Sequence, residues 1–198
     1  MSTKVTLKNV RLSFPNLWEA KEFKAGDGKF RYDATALVEP GSANDKAIEA
    51  AILAEAKTEF GAKWESFLKG IRGQSNKDCY VDGSTKSYDG YEGVKALSSH
   101  RRKQDGPPGV YDKIGAFDEA KQKVVPNKLE ADSGKPYAGC YVNMVVEIYA
   151  QKGENPGIRA GLVSVQYAGP GDAFSGSKPP TADEFEAISE GADADDLA

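Results

Sequence analysis

Tyr141-Val142-Asn143-Met144-Val145-Val146-Glu147-Ile148-Tyr149 is the stretch that decides the fold. Val142, Met144, Val146 and Ile148 fall on one face of an extended chain. Tyr141, Asn143, Val145, Glu147 and Tyr149 fall on the other. This period of two predicts a strand with one buried face. Gly153 to Gly157 then turns the chain, and Ile158 to Tyr167 returns as a second strand. The pair reads as an antiparallel hairpin at the centre of a sheet. Asn143 and Glu147 interrupt the apolar run, which is too short to span a bilayer.

Earlier strands share this pattern. Val5 and Leu7 occupy one face of a first strand, and Val10, Leu12 and Phe14 continue it after a register slip at Asn9. A slip of one residue reverses the faces, so a bulge or sharp bend is expected there. Trp18, Lys21, Phe23, Lys24, Lys29, Phe30, Arg31 and Tyr32 follow, divided by Ala25-Gly26-Asp27-Gly28. Asp-Gly favours a tight hairpin turn. The segment therefore reads as a protruding ribbon on which rings and cations interleave, returning as a strand from Tyr32 to Val38.

Ser42 to Phe60 is the clearest helix. Ser42 can cap it, with Asp45 three residues on, and Ile48, Ile52, Ala56 and Phe60 recur at helical spacing. Trp64, Phe67 and Leu68 suggest a second short helix; Trp64 and Phe67 read as core residues rather than surfaces for stacking. Lys113 to Lys128 reads as a loop with a short strand near Val124-Val125. The whole is mainly β with one or two helices. An OB-like small barrel with a protruding hairpin, spanning 1–174, is the simplest arrangement. Residues 175–198, rich in Gly, Ser, Pro and acids, read as a flexible acidic C-terminal tail.

The stretch Tyr88 to Lys103 bears on function. Tyrosines among glycines lead into alternating residues, Val94 to Arg101, and then to Arg101-Arg102-Lys103. A wet strand face carrying cations beside rings suits a flexible polyanion with exposed bases. Arg101, Arg102 and Lys103 are the first candidates for phosphate contact. Lys95 comes from the same strand, and Arg72 and Lys77 from the preceding loop. Tyr88 and Tyr91 are the first candidates for stacking, with Tyr80 third. Phe23 and Phe30, surrounded by Lys24, Lys29 and Arg31, are preferred to Phe14 and Trp18. His100, the single histidine, is placed to contact phosphate or to serve the fold. The structural alternatives are a solvated charge run and rings that cap a barrel end.

Charge is unevenly distributed. The chain has 26 Lys and Arg against 30 Asp and Glu. Seven of the acids are Asp183, Glu184, Glu186, Glu190, Asp193, Asp195 and Asp196, with no base after Thr181. Removing them leaves 23 acids, so the body is slightly cationic and the end anionic. That pattern fits a nucleic-acid binder whose tail competes with its ligand and recruits partners; a merely solubilising tail is the plainer reading. Cys79 and Cys140 are far apart, without metal spacing. They read as reduced thiols in a cytoplasmic protein. One histidine and two scattered cysteines offer no zinc site, and no phosphate-cradling Gly-rich motif is present.

Taken in order, Leu12-Ser13-Phe14-Pro15-Asn16-Leu17, Tyr32 to Pro40, Gly93 to Arg102 and Pro108-Gly109-Val110-Tyr111-Asp112 resemble a bacteriophage single-stranded DNA-binding protein family of the T7 type. So do Tyr137-Ala138-Gly139-Cys140-Tyr141-Val142, Asn155-Pro156-Gly157-Ile158 and Leu162-Val163-Ser164-Val165-Gln166. The resemblance implies an OB-fold, no cofactor and no enzymatic activity. It implies roles in phage DNA replication, recombination and repair, and an acidic C-terminus that guards the groove and meets replication proteins. The chain departs from the frequent aromatic ending, closing Asp195-Asp196-Leu197-Ala198. Weaker duplex binding and a homodimer are further expectations. The alternatives are a virion or assembly β-barrel that binds other proteins, and a metal-dependent nuclease.

Overall fold

The computed structural model describes residues 2–22, 25–26 and 28–174. Its strands are β1 (Thr3–Glu22), β2 (Phe30–Val38), β3 (Tyr80–Asp82), β4 (Lys95–Arg102), β5 (Gly109–Asp118), β6 (Lys123–Lys128), β7 (Tyr141–Gln151) and β8 (Gly157–Gly169). The two α-helices are α1 (Ala43–Phe60) and α2 (Trp64–Ile71).

The β7–β8 hairpin is central, as its alternation demands. Val142, Met144, Val146 and Ile148 are fully buried. β7 pairs with β1, β1 with β2, and β2 with β4, all antiparallel. A parallel contact between His100 of β4 and Gly161 of β8 closes the ring. Five strands in the cyclic order β1-β2-β4-β8-β7 thus form a closed barrel with OB connectivity. Closure removes the exposed edges those strands would otherwise present.

The long first strand bends where the register slips. The β1–β7 register shifts between Leu7 and Val10, and Asn9 has φ 51°. A second irregularity was not expected. The β1–β2 register shifts between Ser13 and Asn16, and Phe14 has φ 48°. Phe14 therefore leaves the face shared by Val10 and Leu12 and is 45% exposed.

Helix α1 lies between β2 and β4 in sequence and packs on β1 and β7. Ser42 caps it by accepting from the Asp45 N–H at 3.2 Å. The Asp45 carboxylate reaches back to the Gly41 N–H at 2.7 Å, one residue before the position a capping box predicts. Ile48, Ile52 and Ala56 form its buried stripe. In α2, Leu68 and Ile71 are buried, and Trp64 and Phe67 pack against the core as expected.

The segment Lys113 to Lys128 is not a loop. It forms most of an antiparallel hairpin, β5–β6, which joins the barrel through a short parallel pairing of Gly109–Tyr111 with Ser164–Gln166. Neither strand buries a continuous face beyond Val110, so the period of two that marks a half-buried strand is missing. Cys79 and Cys140 are buried, free thiols. Burial pushes Cys140 up to about 11, and Cys79 higher still, so both stay protonated at neutral pH.

Candidate nucleic-acid interface

The β1–β2 ribbon and the end of β4 meet on one wall of the barrel. Residues directly opposite in a ladder share a face, so the register builds three rows across the outside. The first is Ser13–Thr35–Ser98, the second Asn16–Asp33–His100, and the third Lys21–Arg31–Arg102. The intervening residues Tyr32, Ala34 and Ala36 point into the core.

Two hollows flank the middle row. One, of about 550 Å³, is lined by Lys29, Phe30, Arg31, His100, Arg102 and Lys103 among others. Phe30 is 44% exposed, with the Lys103 ammonium 5.1 Å from its ring centre. The other, of about 300 Å³, is lined by Ser13, Phe14, Pro15, Asn16, Tyr88, Asp89, Ala138 and Phe174. Tyr88 is 52% exposed and meets Phe14 edge-to-face at 4.9 Å. Each hollow thus offers an aromatic surface, and the first is rimmed by cations.

Of the cations read from sequence, Lys29, Arg31, Arg102 and Lys103 reach this wall together with His100. Arg102 also holds Asp105 through two bonds of 2.8 and 3.1 Å. Arg101 has a different task. It alternates to the other face and donates to the carbonyls of Gly106 and Asp105, pinning the turn after β4.

Lys95, Arg72 and Lys77 do not belong to this wall. Lys95 lies on the face turned towards α1, and its ammonium holds Asp45 at 3.0 Å and Glu49 at 3.2 Å. Arg72 pairs with Glu49 and Asp78 at the same helix. Lys77 lies beside the start of β8, where its carbonyl accepts from the Ile158 N–H, and lines neither hollow.

Tyr80 and Tyr91 cannot stack on bases as placed, because each is only 3% exposed. The Tyr80 hydroxyl donates to Asp45 at 2.8 Å inside the core. Tyr91 lies over Leu37 and Ala96, its phenol oxygen engaging Ser13 and Thr35. Tyr88 alone of the three presents a face, and it leans on Tyr91, 5.4 Å between ring centres. Phe23 and Lys24, and all seven tail acids from Asp183 to Asp196, lie outside the described residues.

Sequence reasoning ranked Phe14 below the ribbon rings and passed over Asn16 and Asp33. One signal was present: Pro15 follows Phe14 directly, and a proline inside a strand marks a bulge. Burial pushes the His100 imidazole down to about 4, and the positive charges of Arg31 and Arg159 push the same way. It is therefore neutral at physiological pH. Asp33 is held above the usual carboxylate range by burial, against the pull of Asn16, Arg31 and Lys21. Among the described residues no cluster of three or more His, Cys, Asp or Glu could hold a metal.

The barrel, with its open wall across β1, β2 and β4, has counterparts among known proteins. The family described as the single-stranded DNA-binding protein of Enterobacter phage Enc34 matches residues 3–198. The chain belongs to that family. A curated relative, putative protein p50 of Acyrthosiphon pisum secondary endosymbiont phage 1, is 36% identical over 191 residues, covering 94% of each chain. The Enc34 single-stranded DNA-binding protein, solved in complex with single-stranded DNA, shares the fold at a TM-score of 0.65. It is 22% identical, with 86% of this chain and 89% of that one covered. The single-stranded DNA-binding protein of bacteriophage T7 matches at a TM-score of 0.53 and 12% identity, covering 96% and 98%. This is a family of DNA binders rather than of enzymes.

Proposed function

We propose that this member of the phage family binds single-stranded DNA along the outer wall of β1, β2 and β4. Phosphates run over Lys29, Arg31, Arg102 and Lys103, and bases stack on Phe30 at one end and on Phe14 and Tyr88 at the other. The observation that supports this most is the convergence itself. Two segments separated by α1 pair from Arg31–Arg102 to Val38–Lys95 and line one hollow together. Cations beside exposed rings are what a strand without a partner requires, since every base has a π face and every phosphate a charge.

The acidic tail competes for the same wall. The described chain ends at Phe174, which lines the hollow of Phe14 and Tyr88. The last described residue thus lies at the edge of the groove, and the seven acids beyond Thr181 act at high local concentration. In this reading the tail also recruits replication, recombination or repair proteins, in the reducing cytoplasm of an infected bacterium that suits two free thiols.

Fluorescence anisotropy of labelled oligonucleotides tests the proposal. Affinity for unrelated single strands is expected to exceed that for duplex and to fall steeply with salt. A chain cut before Thr181 is expected to bind more tightly at low salt. Salt-insensitive or absent binding overturns the groove; equal affinity of cut and intact chains overturns the competition.

A further inference from the structure

A carboxylate stands in the middle of this cationic wall. Asp33 occupies the central row, between Asn16 of β1 and His100 of β4. Its two row neighbours belong to different hollows: His100 lines the one containing Phe30, and Asn16 the one containing Phe14 and Tyr88. A negative charge there repels phosphate. Arg31 and Lys21 in the next row balance that charge in the free protein, yet a carboxylate adds nothing to a wall that only tracks a backbone.

Its hydrogen bonding is incomplete. Asn16 Nδ2 donates to Asp33 Oδ1 at 2.9 Å. Oδ2 accepts no hydrogen bond among the described residues. His100 opposite is neutral at physiological pH and brings no compensating charge. The amide of Asn16 holds one carboxylate oxygen, and the other stays without a hydrogen-bond partner among the described residues on a side chain that is only half-buried.

The neighbouring rows complete the geometry. Same-face rows of a sheet stand about 7 Å apart. A base set against Asp33 therefore has its phosphate within reach of the Arg31–Arg102 row, while the next base meets Phe14 and Tyr88. Phosphate is held on one row and a base edge is met on the next.

We propose that Asp33 is a specificity-determining residue. Its free oxygen accepts from the exocyclic amino group of a base, so amino-bearing bases are favoured over thymine. Cytosine presents N4–H₂ where thymine presents the carbonyl O4. The first donates to a carboxylate and the second is repelled by it. This inference rests on the groove reading above and adds a base preference to it.

The test is a competition titration of the intact chain with dC and dT homo-oligomers of equal length at one salt concentration. Wild type is expected to favour dC by about fivefold, the lower end of what one base contact discriminates. Asp33→Asn is expected to abolish that ratio, mainly by binding dT more tightly. A second arm leaves the protein unaltered: an oligomer of N4,N4-dimethylcytosine lacks the donor and is expected to lose the advantage of dC. A preference unchanged in both arms, as stacking alone produces, overturns the role of Asp33 while leaving the groove standing. Failure of wild type to bind any oligomer overturns the groove as well.

Discussion

Phe174 fills the space directly over Gly90. A Cβ on Gly90 would lie 2.5 Å from Phe174 Cε1, and Gly90 has φ +77°. The ring also lies 4.6 Å from the Arg11 guanidinium, which donates to the Asp172 carbonyl at 2.6 Å. This clasp fixes where the chain leaves the barrel. Gly90→Ala meets the left-handed backbone penalty, about 1–2 kcal/mol, and must also displace the ring. Phe174→Ala removes the cation–π contact with Arg11, about 1 kcal/mol, together with the ring's packing on Leu37, Tyr91 and Ala96. Urea denaturation is expected to place both variants below wild type. In the double variant the added methyl meets no ring, so its loss is expected to fall short of the sum of the two; strict additivity would show that the ring and the glycine are not coupled.

The cations divide into two sets with opposite expected readouts. Lys103 lies over Phe30 at the groove, so Lys103→Ala is expected to weaken single-strand binding. Each phosphate left without its cation should reduce the slope of log affinity against log salt by about 0.7. Lys95 instead neutralises Asp45 and Glu49 beneath α1. Lys95→Met leaves Asp45 without its cation, while Glu49 keeps Arg72, and is expected to cost about 1–2 kcal/mol of stability, discounted for partial exposure. Its salt slope should match wild type. Salt titrations and denaturation of both variants check the division; a reduced slope in Lys95→Met would return Lys95 to the groove.

Much of the fold was legible in the chain, and the failures share a cause. The β7–β8 hairpin, the slip at Asn9 and the cap at Ser42 depend on local patterns, and each folds as read. Which cations reach the groove depends on parity along β4, because alternate residues turn to opposite faces. Arg102 and His100 face out while Lys95 and Arg101 face the other way. Composition made them look equivalent. Tyr80 and Tyr91 looked like Tyr88 for the same reason, until packing buried two of the three. Asn16 and Asp33 are ordinary polar residues in sequence. Only the register between β1, β2 and β4 sets them side by side in the groove.

His100 should make the fold sensitive to mild acid. Its folded value is pushed down to about 4 from 6.5. Between those values the unfolded chain binds a proton that the folded chain refuses. Stability therefore rises with pH across this window. Its contribution is complete above pH 6.5 and is lost as pH falls towards 4. His100→Asn is expected to flatten that part of the profile, measured as the wild-type-minus-variant difference in unfolding free energy. An NMR titration of the imidazole with a midpoint near 6.5 in the folded protein would remove the effect.

Phe14 combines backbone strain with an exposed ring, a pairing that points to use rather than packing. With φ 48° its Cβ is crowded, at a cost of about 1–2 kcal/mol that its partial burial and its edge contact with Tyr88 must offset. Phe14→Gly removes the strain and the ring together, so stability is expected to stay within about 1 kcal/mol of wild type. Phe14→Ala keeps the Cβ without the ring, and should be the less stable of the two. Both remove a stacking surface worth about 1–3 kcal/mol per base, so single-strand affinity is expected to fall about tenfold in each. Thermal denaturation and anisotropy on the same two variants separate the effects. A Phe14→Gly protein that binds as tightly as wild type would mean that the turned-out ring serves the fold alone.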